Sequence, residues 1–408
     1  MSFTTWRFGD ILLSDLLFLM AAAAIVVKML TGNDRDLATP EQRKGSPLLL
    51  VGALLLLAAG TLSSLRAWDP IDSMSVVLRF AWVTLVWFWI MRTVCRDRAD
   101  LKLLLRAWKF SALATAGAAV LGQLGIAFVS THLGDRQVGL NGHPNHLAGH
   151  LAATFMLFLL AVPRSEEPRR RHPRLWWLLA LGLTTTGMFA SGSISGLVAI
   201  LGAMAVVGAV YLATTGRRMT KRRRSLLAPM IGVLVVAIGA VVLFTSDLAV
   251  VDRLNLFREG DSYVEESVGS RGERNAFVTE RFDQYLVVGL GFHTGYPTDT
   301  YIDPEDPAQR DYGVHNMHLG ILYQAGLAAA IGVIVILVTA GRQLKALLRR
   351  TDDDLYVLTL ALIGCFVAVN VVSLFQPTAF DRFFWMPVAL TSCLWSIRRR
   401  ELRAAASP

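Results

Sequence analysis

The chain has 408 residues, 54% of them hydrophobic and only 17% charged, with a mean hydropathy of +0.47. Soluble globular proteins carry roughly 25% charged residues and lack recurring apolar runs of about 20 residues, so a soluble fold is excluded. The net charge of +9 would fit nucleic-acid binding in a soluble protein. Here the basic residues lie between apolar runs, where they record membrane topology, and no helix-turn-helix, RNP or finger pattern occurs.

Runs long enough for one bilayer crossing are read in chain order near 11–30, 47–65, 74–91, 110–129, 146–162, 175–190, 194–214, 226–245, 317–340, 355–374 and 382–397. The expected fold is all-α, a polytopic transmembrane helix bundle of about 11 spans (10–12) forming a single integral membrane domain over 1–408. The span at 146–162 is the weakest, being short and carrying His146 and His150 at its start. The N-terminal MSFTTWRFGD has no basic segment followed by a cleavage site, so no cleaved signal peptide is expected. Cys95, Cys365 and Cys393 show no CxxC spacing and imply neither a disulfide framework nor a zinc site. Arg outnumbers Lys 34 to 6, which hints at a GC-rich bacterial genome.

Lys and Arg in the short connections set the orientation. The segment 31–46 has three, 92–109 six, 163–174 five, 216–225 six, 342–354 four and the tail from 398 another four. The intervening connections hold only Arg66, Arg136 or none. The basic set is therefore expected in the cytoplasm, with the other connections outside.

One external connection stands apart. Residues 246–316 contain 14 acidic and six basic residues, and loops of that length are usually functional. Within it, Gly272–Leu286 carries apolar residues at spacings that suit a short amphipathic helix on the membrane face. The stretch Thr298–Gly313 is polar with two prolines and reads as an exposed lobe.

Three external segments hold unusual polar residues. The first runs from Arg136 through His143-Pro144-Asn145-His146 to Ala148. The second contains Arg271 and Arg274, and the third contains Gly289-Leu290-Gly291-Phe292 followed later by His315-Asn316. Arginines suit a diphosphate because the planar guanidinium gives bidentate, permanently charged donors. A histidine suits proton abstraction from a sugar hydroxyl.

The blander readings are specific too. Pro144 and Asn145 fit a helix start. Arg271 and Arg274 could be solvated charges paired with Glu273 or Glu280. His315 could cap a helix, and His318 lies one turn on. His143, His146 and His150 have a spacing that could ligate zinc, but no HExxH glutamate or nearby cysteine supports a metal. Asp69 and Asp72 flank Pro70 as helix-terminus residues. Arg79 lies within a span near its external end and is expected to snorkel. Asp381 and Arg382 begin the last span, where Arg382 might line the same cavity.

The pattern Arg136-x-x-Gly139 with Pro144-Asn145-x-Leu147-Ala148 resembles the O-antigen ligase/polymerase family of bacterial membrane proteins. So do Ser270-Arg271 with Phe277 after it, Gly289-x-Gly291-Phe292, a polar lobe, and His315-Asn316 at the start of a span. The resemblance covers roughly residues 110–340. It implies a glycosyltransferase that moves a glycan from a polyprenyl-diphosphate carrier to an acceptor hydroxyl, with inversion and without a metal or other cofactor. It further implies a multi-pass protein of the bacterial cytoplasmic membrane with its active site facing outside. By resemblance, Arg136 and Arg271 grip the diphosphate and His315 activates or orients the acceptor. Arg274, Asn145, Asn316, His146, His318 and Arg382 are candidate substrate contacts. The expected partners are the lipid-linked glycan donor, a glycan, lipid or protein acceptor, and membrane lipid, with no nucleic acid. Many relatives carry Ser-Arg at the turn between two central spans, where this chain has Ser193-Ile194, so that arginine's role is open here. The residues do not separate ligase from polymerase. A metal-dependent or peptidoglycan-polymerase-like glycosyltransferase using Asp69, or a transporter of lipid-linked sugar, remain the alternatives.

Overall fold

The computed structural model describes residues 7–8, 11–32, 37–38, 45–67, 69–126, 132–133, 136–141, 143–160, 173–215, 275–276, 278–292, 314–349, 353–377, 379 and 381–406. Among these the protein is helical, apart from two two-stranded antiparallel ladders. In chain order the elements are β1 (Arg7–Phe8), β2 (Ile11–Leu12), α1 (Leu13–Leu30), α2 (Pro47–Ser64), α3 (Pro70–Val94), α4 (Arg98–Gln123), β3 (His132–Leu133), β4 (Arg136–Gln137), α5 (Pro144–Leu159), α6 (Pro173–Ala190) and α7 (Ile194–Thr215). They continue with the single turn α8 (Phe282–Tyr285), α9 (Met317–Arg349), α10 (Asp353–Ser373) and α11 (Arg382–Ala406). Six of these are long and apolar enough to cross a membrane: α2, α3, α4, α7, α9 and α10. The apolar run at 226–245 lies outside the described residues, as does most of 246–316, including the Thr298–Gly313 stretch.

Several helices outrun the apolar stretches that betray them. The basic connection expected over 92–109 is mostly the first three turns of α4. Asp97 starts that helix by accepting hydrogen bonds from the Ala99 and Asp100 amides at 2.8 and 3.0 Å. Similarly α9 continues to Arg349 and α11 to Ala406. Hydropathy reports only the apolar middle of such a helix, while Lys, Arg and Glu are good helix formers that extend it. The amphipathic helix expected at Gly272–Leu286 is represented, in its described part, by short turns ending in α8.

The short helix α5 is the centre of the bundle rather than a lipid-facing span. Its residues from Leu147 to Leu159 are all buried, enclosed by α4, α6, α7, α10 and α11. A helix apolar on every side is one that packs on every side. Around it, Leu48, Leu50, Val51 and Leu54 of α2, Leu201 and Leu212 of α7, and Ile331, Ile334 and Val338 of α9 are exposed. Such a belt is what a bilayer covers.

The helices α2 and α9 meet backbone to backbone. A Cβ on Gly52 would stand 2.6 Å from the Gly332 carbonyl oxygen, and one on Gly332 would stand 2.5 Å from that of Gly52. Small residues at a crossing permit this approach in the membrane.

One end of the bundle is basic. The Arg98 guanidinium grips Glu401 through Nε at 2.5 Å and Nη2 at 2.7 Å, and Arg92 Nη1 donates to Ser392 Oγ at 2.6 Å. Arg382, at the other end of α11, lies about 28 Å away at 1.5 Å per residue. Only residues 350–352 separate α9 from α10, so the two run antiparallel. The start of α9 therefore shares the Arg382 end of the bundle.

α9 is broken near that end. Gly326 has φ 79° and ψ −177°, a conformation essentially restricted to glycine. The carbonyls of Tyr323 and Gln324 accept from the amides of Leu290 and Gly291 at 3.1 and 2.9 Å, and the Leu327 amide donates to the Leu286 carbonyl at 2.7 Å. The 286–292 segment thus satisfies the backbone groups freed by the break, as irregular backbone inside a membrane protein requires. Phe292 follows the segment inward. Its amide donates to Ser73 Oγ at 2.8 Å, and its ring lies 5.1 Å from that of Phe80 on α3.

Replacing Gly326 with Ala adds a Cβ 2.7 Å from the Val287 carbonyl oxygen. G326A is expected to lower stability by at least about 1–3 kcal/mol, read as a fall in the thermal unfolding temperature of the protein in detergent.

Candidate functional site

The site is built from a hairpin, the start of α5, the α6–α7 turn and the start of α11. Arg136 lies on β4, opposite Leu133 of β3. The residues after it are pinned to α4: the Leu140 amide donates to Thr115 Oγ1 at 2.9 Å and Asn141 Nδ2 donates to the same oxygen at 3.0 Å. Gly139, at φ 60°, lies against the Thr115 carbonyl, where a Cβ would stand 2.8 Å from its oxygen. His143 then caps α5, its Nδ1 accepting from the Asn145 amide at 3.1 Å, and Pro144 takes the first helical position.

That local order fixes Arg136. Its Nη2 donates to Asn145 Oδ1 at 2.6 Å and its Nε to the Ser191 carbonyl at 2.8 Å, and the residue is only 7% exposed. A buried guanidinium is costly to desolvate unless its donors are matched. These two directed bonds, one across to the α6–α7 turn, set its plane. The same turn carries Ser193 and Ser195, whose hydroxyls lie 3.0 Å apart, and Gln376 Nε2 donates to Ser195 Oγ at 2.7 Å. Ile194 is the first residue of α7. Among the described residues, Arg136 is the cation bonded to this turn.

On the other side of Asn145 stands His146, whose Nδ1 lies 3.6 Å from Asp381 Oδ1. Burial holds the Asp381 carboxyl above the usual carboxylate range, and the neighbouring His146 opposes that shift. Arg382, next in the chain, projects over the Phe18 ring with its guanidinium carbon 5.6 Å from the centroid. It stands at an apolar cavity of about 220 Å³ lined also by Ala21, Trp87, Ile90, Trp108 and Met386. The polar cluster and the apolar cavity are linked through the consecutive residues Asp381, which faces His146, and Arg382, which lines the cavity.

The other expected site residues fall as follows. His315 and Asn316 stand at the start of α9, where Asn316 Oδ1 caps the helix by accepting from the amides of His318 and Leu319 at 3.0 and 3.1 Å. His318 is half-buried in the first turn. Arg271 and Arg274 lie outside the described residues. Asp69 caps α3, accepting from Ile71 and Asp72 amides, each at 3.0 Å, and Arg79 is exposed on the outer face of α3. The histidines of α5 diverge: His143 serves the cap, His146 faces Asp381, and His150 is buried beside Ser111 Oγ at 3.5 Å. Among the described residues no three potential metal ligands stand together. Gln376, Ser193 and Ser195 were not singled out by the sequence. A glutamine before a proline at a span's end is the signal that could have marked Gln376.

Removing one partner of Arg136 tests how firmly it is held. N145A leaves a buried guanidinium donor without its acceptor and is expected to cost about 1.5–3 kcal/mol, read by thermal unfolding in detergent.

Residues 178–334 match the family model described as Wzy_C: O-Antigen ligase. The matched stretch begins within α6 and ends in α9 just beyond the Gly326 break. No curated protein matches the chain. Over residues 178–334 the chain is therefore similar to the O-antigen ligase family.

Proposed function

We propose that the protein transfers a glycan from a polyprenyl-diphosphate carrier to an acceptor hydroxyl at the outer face of the bacterial cytoplasmic membrane. The observation that carries this reading is the buried Arg136, held by Asn145 and the Ser191 carbonyl, with an apolar cavity bordered by Arg382 at the start of α11. A substrate with a charged diphosphate and an isoprenoid tail needs both environments side by side. The opposite end of the bundle is rich in arginine, with Arg92, Arg96, Arg98 and Arg400 gathered there. The bias of basic residues towards the cytoplasm supports an outside position for the cluster.

In the proposed reaction the acceptor oxygen attacks the anomeric carbon as the bond from that carbon to the diphosphate oxygen breaks, inverting the configuration. The electron pair leaves with the diphosphate, whose growing charge is met by Arg136 and, following the family pattern, Arg271. Fixed cations at a developing anion are commonly the largest single catalytic contribution. No metal is called for when guanidinium groups take that charge. His315, at the start of α9 and on the same end of the bundle, orients the acceptor. Candidate substrate contacts are Asn145, His146, Asn316, His318, Arg274 and Arg382. The acceptor, either a growing chain for a polymerase or a lipid or protein anchor for a ligase, follows from the same chemistry.

The break in α9 gives a transporter of lipid-linked sugar a specific observation of its own, because transporters build sites at discontinuous helices. The metal-dependent alternative is weakened by Asp69, whose Oδ1 already caps α3.

The test is a gel assay of purified protein in detergent with a polyprenyl-diphosphate oligosaccharide and EDTA, with and without added acceptor. Wild-type protein is expected to form product in EDTA, and R136A and H315A to lose roughly 10²–10³-fold in rate. Full activity in both variants, or loss of wild-type activity on chelation, would contradict the assignment. Passage of the substrate across vesicle membranes without glycosidic product would favour transport.

A further inference from the structure

His146 and Asp381 form a pair whose geometry goes beyond a substrate contact. His146 follows Asn145 in the first turn of α5, so the cap that fixes Asn145 on Arg136 also fixes His146 beside the same cluster. Its Nδ1 faces Asp381 Oδ1 across the junction of α5 with α11, at ion-pair rather than hydrogen-bond distance. The His146 side chain keeps 38% of its exposure, whereas Asp381 keeps 17%; with Nδ1 turned to Asp381, Nε2 is the ring nitrogen on the opposite edge. Asp381 Oδ2 is buried with no hydrogen-bond partner, as is Gln376 Oε1 nearby in the chain. A carboxylate behind an imidazole holds the ring in one tautomer and orientation.

Among the described residues, the ionisable groups around His146 are the following. The His143 ring lies 5.5 Å away, Arg136 is reached through Asn145, and Arg382 adjoins Asp381 in α11. The α7 start and the segment before α11 contribute Ser193, Ser195 and Gln376, which do not titrate. His315 and His318 stand at the same end of the bundle on α9.

We propose that His146, backed by Asp381, is the general base that takes the acceptor's proton, an inference that rests on the transfer reaction proposed above. As the acceptor oxygen bonds to the anomeric carbon, its proton passes to His146 Nε2. The bond from the anomeric carbon to the diphosphate oxygen breaks, and its electron pair leaves with the diphosphate held at Arg136. The Asp381 carboxylate stabilises the resulting imidazolium, which later returns the proton to solvent. In apo sites such base–carboxylate contacts are often long and tighten with substrate.

The competing role is a clamp between α5 and α11, and rate profiles separate the two. kcat and KM are measured against pH with polyprenyl-diphosphate oligosaccharide and acceptor, for wild type, H146Q and D381N. H146Q keeps a polar contact with Asp381 but cannot take a proton. Its kcat is expected to fall about 10²–10⁴-fold with KM little changed. D381N removes the charge that favours the imidazolium. Its rate is expected to fall at least about tenfold, and the acid limb of its profile to move to lower pH. A folded H146Q within about twofold of wild type, or a D381N profile with an unmoved acid limb, would overturn the base assignment while leaving the transfer reaction standing. Should H146Q misfold, D381N decides through the acid limb alone. Absence of transfer by the wild type would overturn both.

Discussion

Arg136 is the constraint around which this end of the molecule is arranged. A guanidinium cannot be withdrawn from water without directed acceptors, and here they come from two different places in the chain. Asn145 is held by the cap of α5, and the Ser191 carbonyl closes the α6–α7 turn. Meeting both demands draws the β3–β4 hairpin, the central helix and that turn together. Because α5 is buried on every side, its first turn has little freedom to move. The cation, His146 and Asp381 are consequently positioned by the packed bundle, as the proposed transfer reaction needs.

A second constraint acts on the neighbouring side. α9 breaks at Gly326, and the 286–292 segment supplies the hydrogen bonds lost there. The Gly-Leu-Gly-Phe run is therefore structural: Gly289, at φ 78°, lies against the Gln324 carbonyl, Gly291 bonds to it, and Phe292 anchors the segment between α2 and α3. The break and its filling tie residues 286–292 to the first part of α9, which His315 and Asn316 precede. The family-matched stretch includes both this junction and the α6–α7 turn that receives Arg136.

Much of this was legible in the residues. Apolar runs located ten helices, because burial in lipid or in a packed core demands the same side chains. They missed helix ends, since the polar turns of α4 and α11 carry no hydropathy signal, and they did not show that the helix expected at 146–162 is enclosed by its neighbours. Arg136 and Asn145 stood out through their motif, and the structure adds that they bond to one another. Asp381 was noticed only as a neighbour of Arg382, and Gln376 not at all. Both depend on contacts between segments far apart in sequence, His146 with Asp381 and Ser195 with Gln376, which no local pattern encodes. The roles expected of Arg271 and Arg274 lie beyond the described residues and rest on the motif alone.

The central claim is a single displacement at an anomeric carbon driven by arginine-held diphosphate. The most direct measurement is the anomeric configuration of the new linkage, determined by NMR on product made from a donor of known configuration in the presence of EDTA, alongside release of free polyprenyl diphosphate. The account predicts inverted configuration, with one carrier released per bond formed and no effect of the chelator. Retained configuration, or product that forms only when a divalent metal is restored, would contradict it.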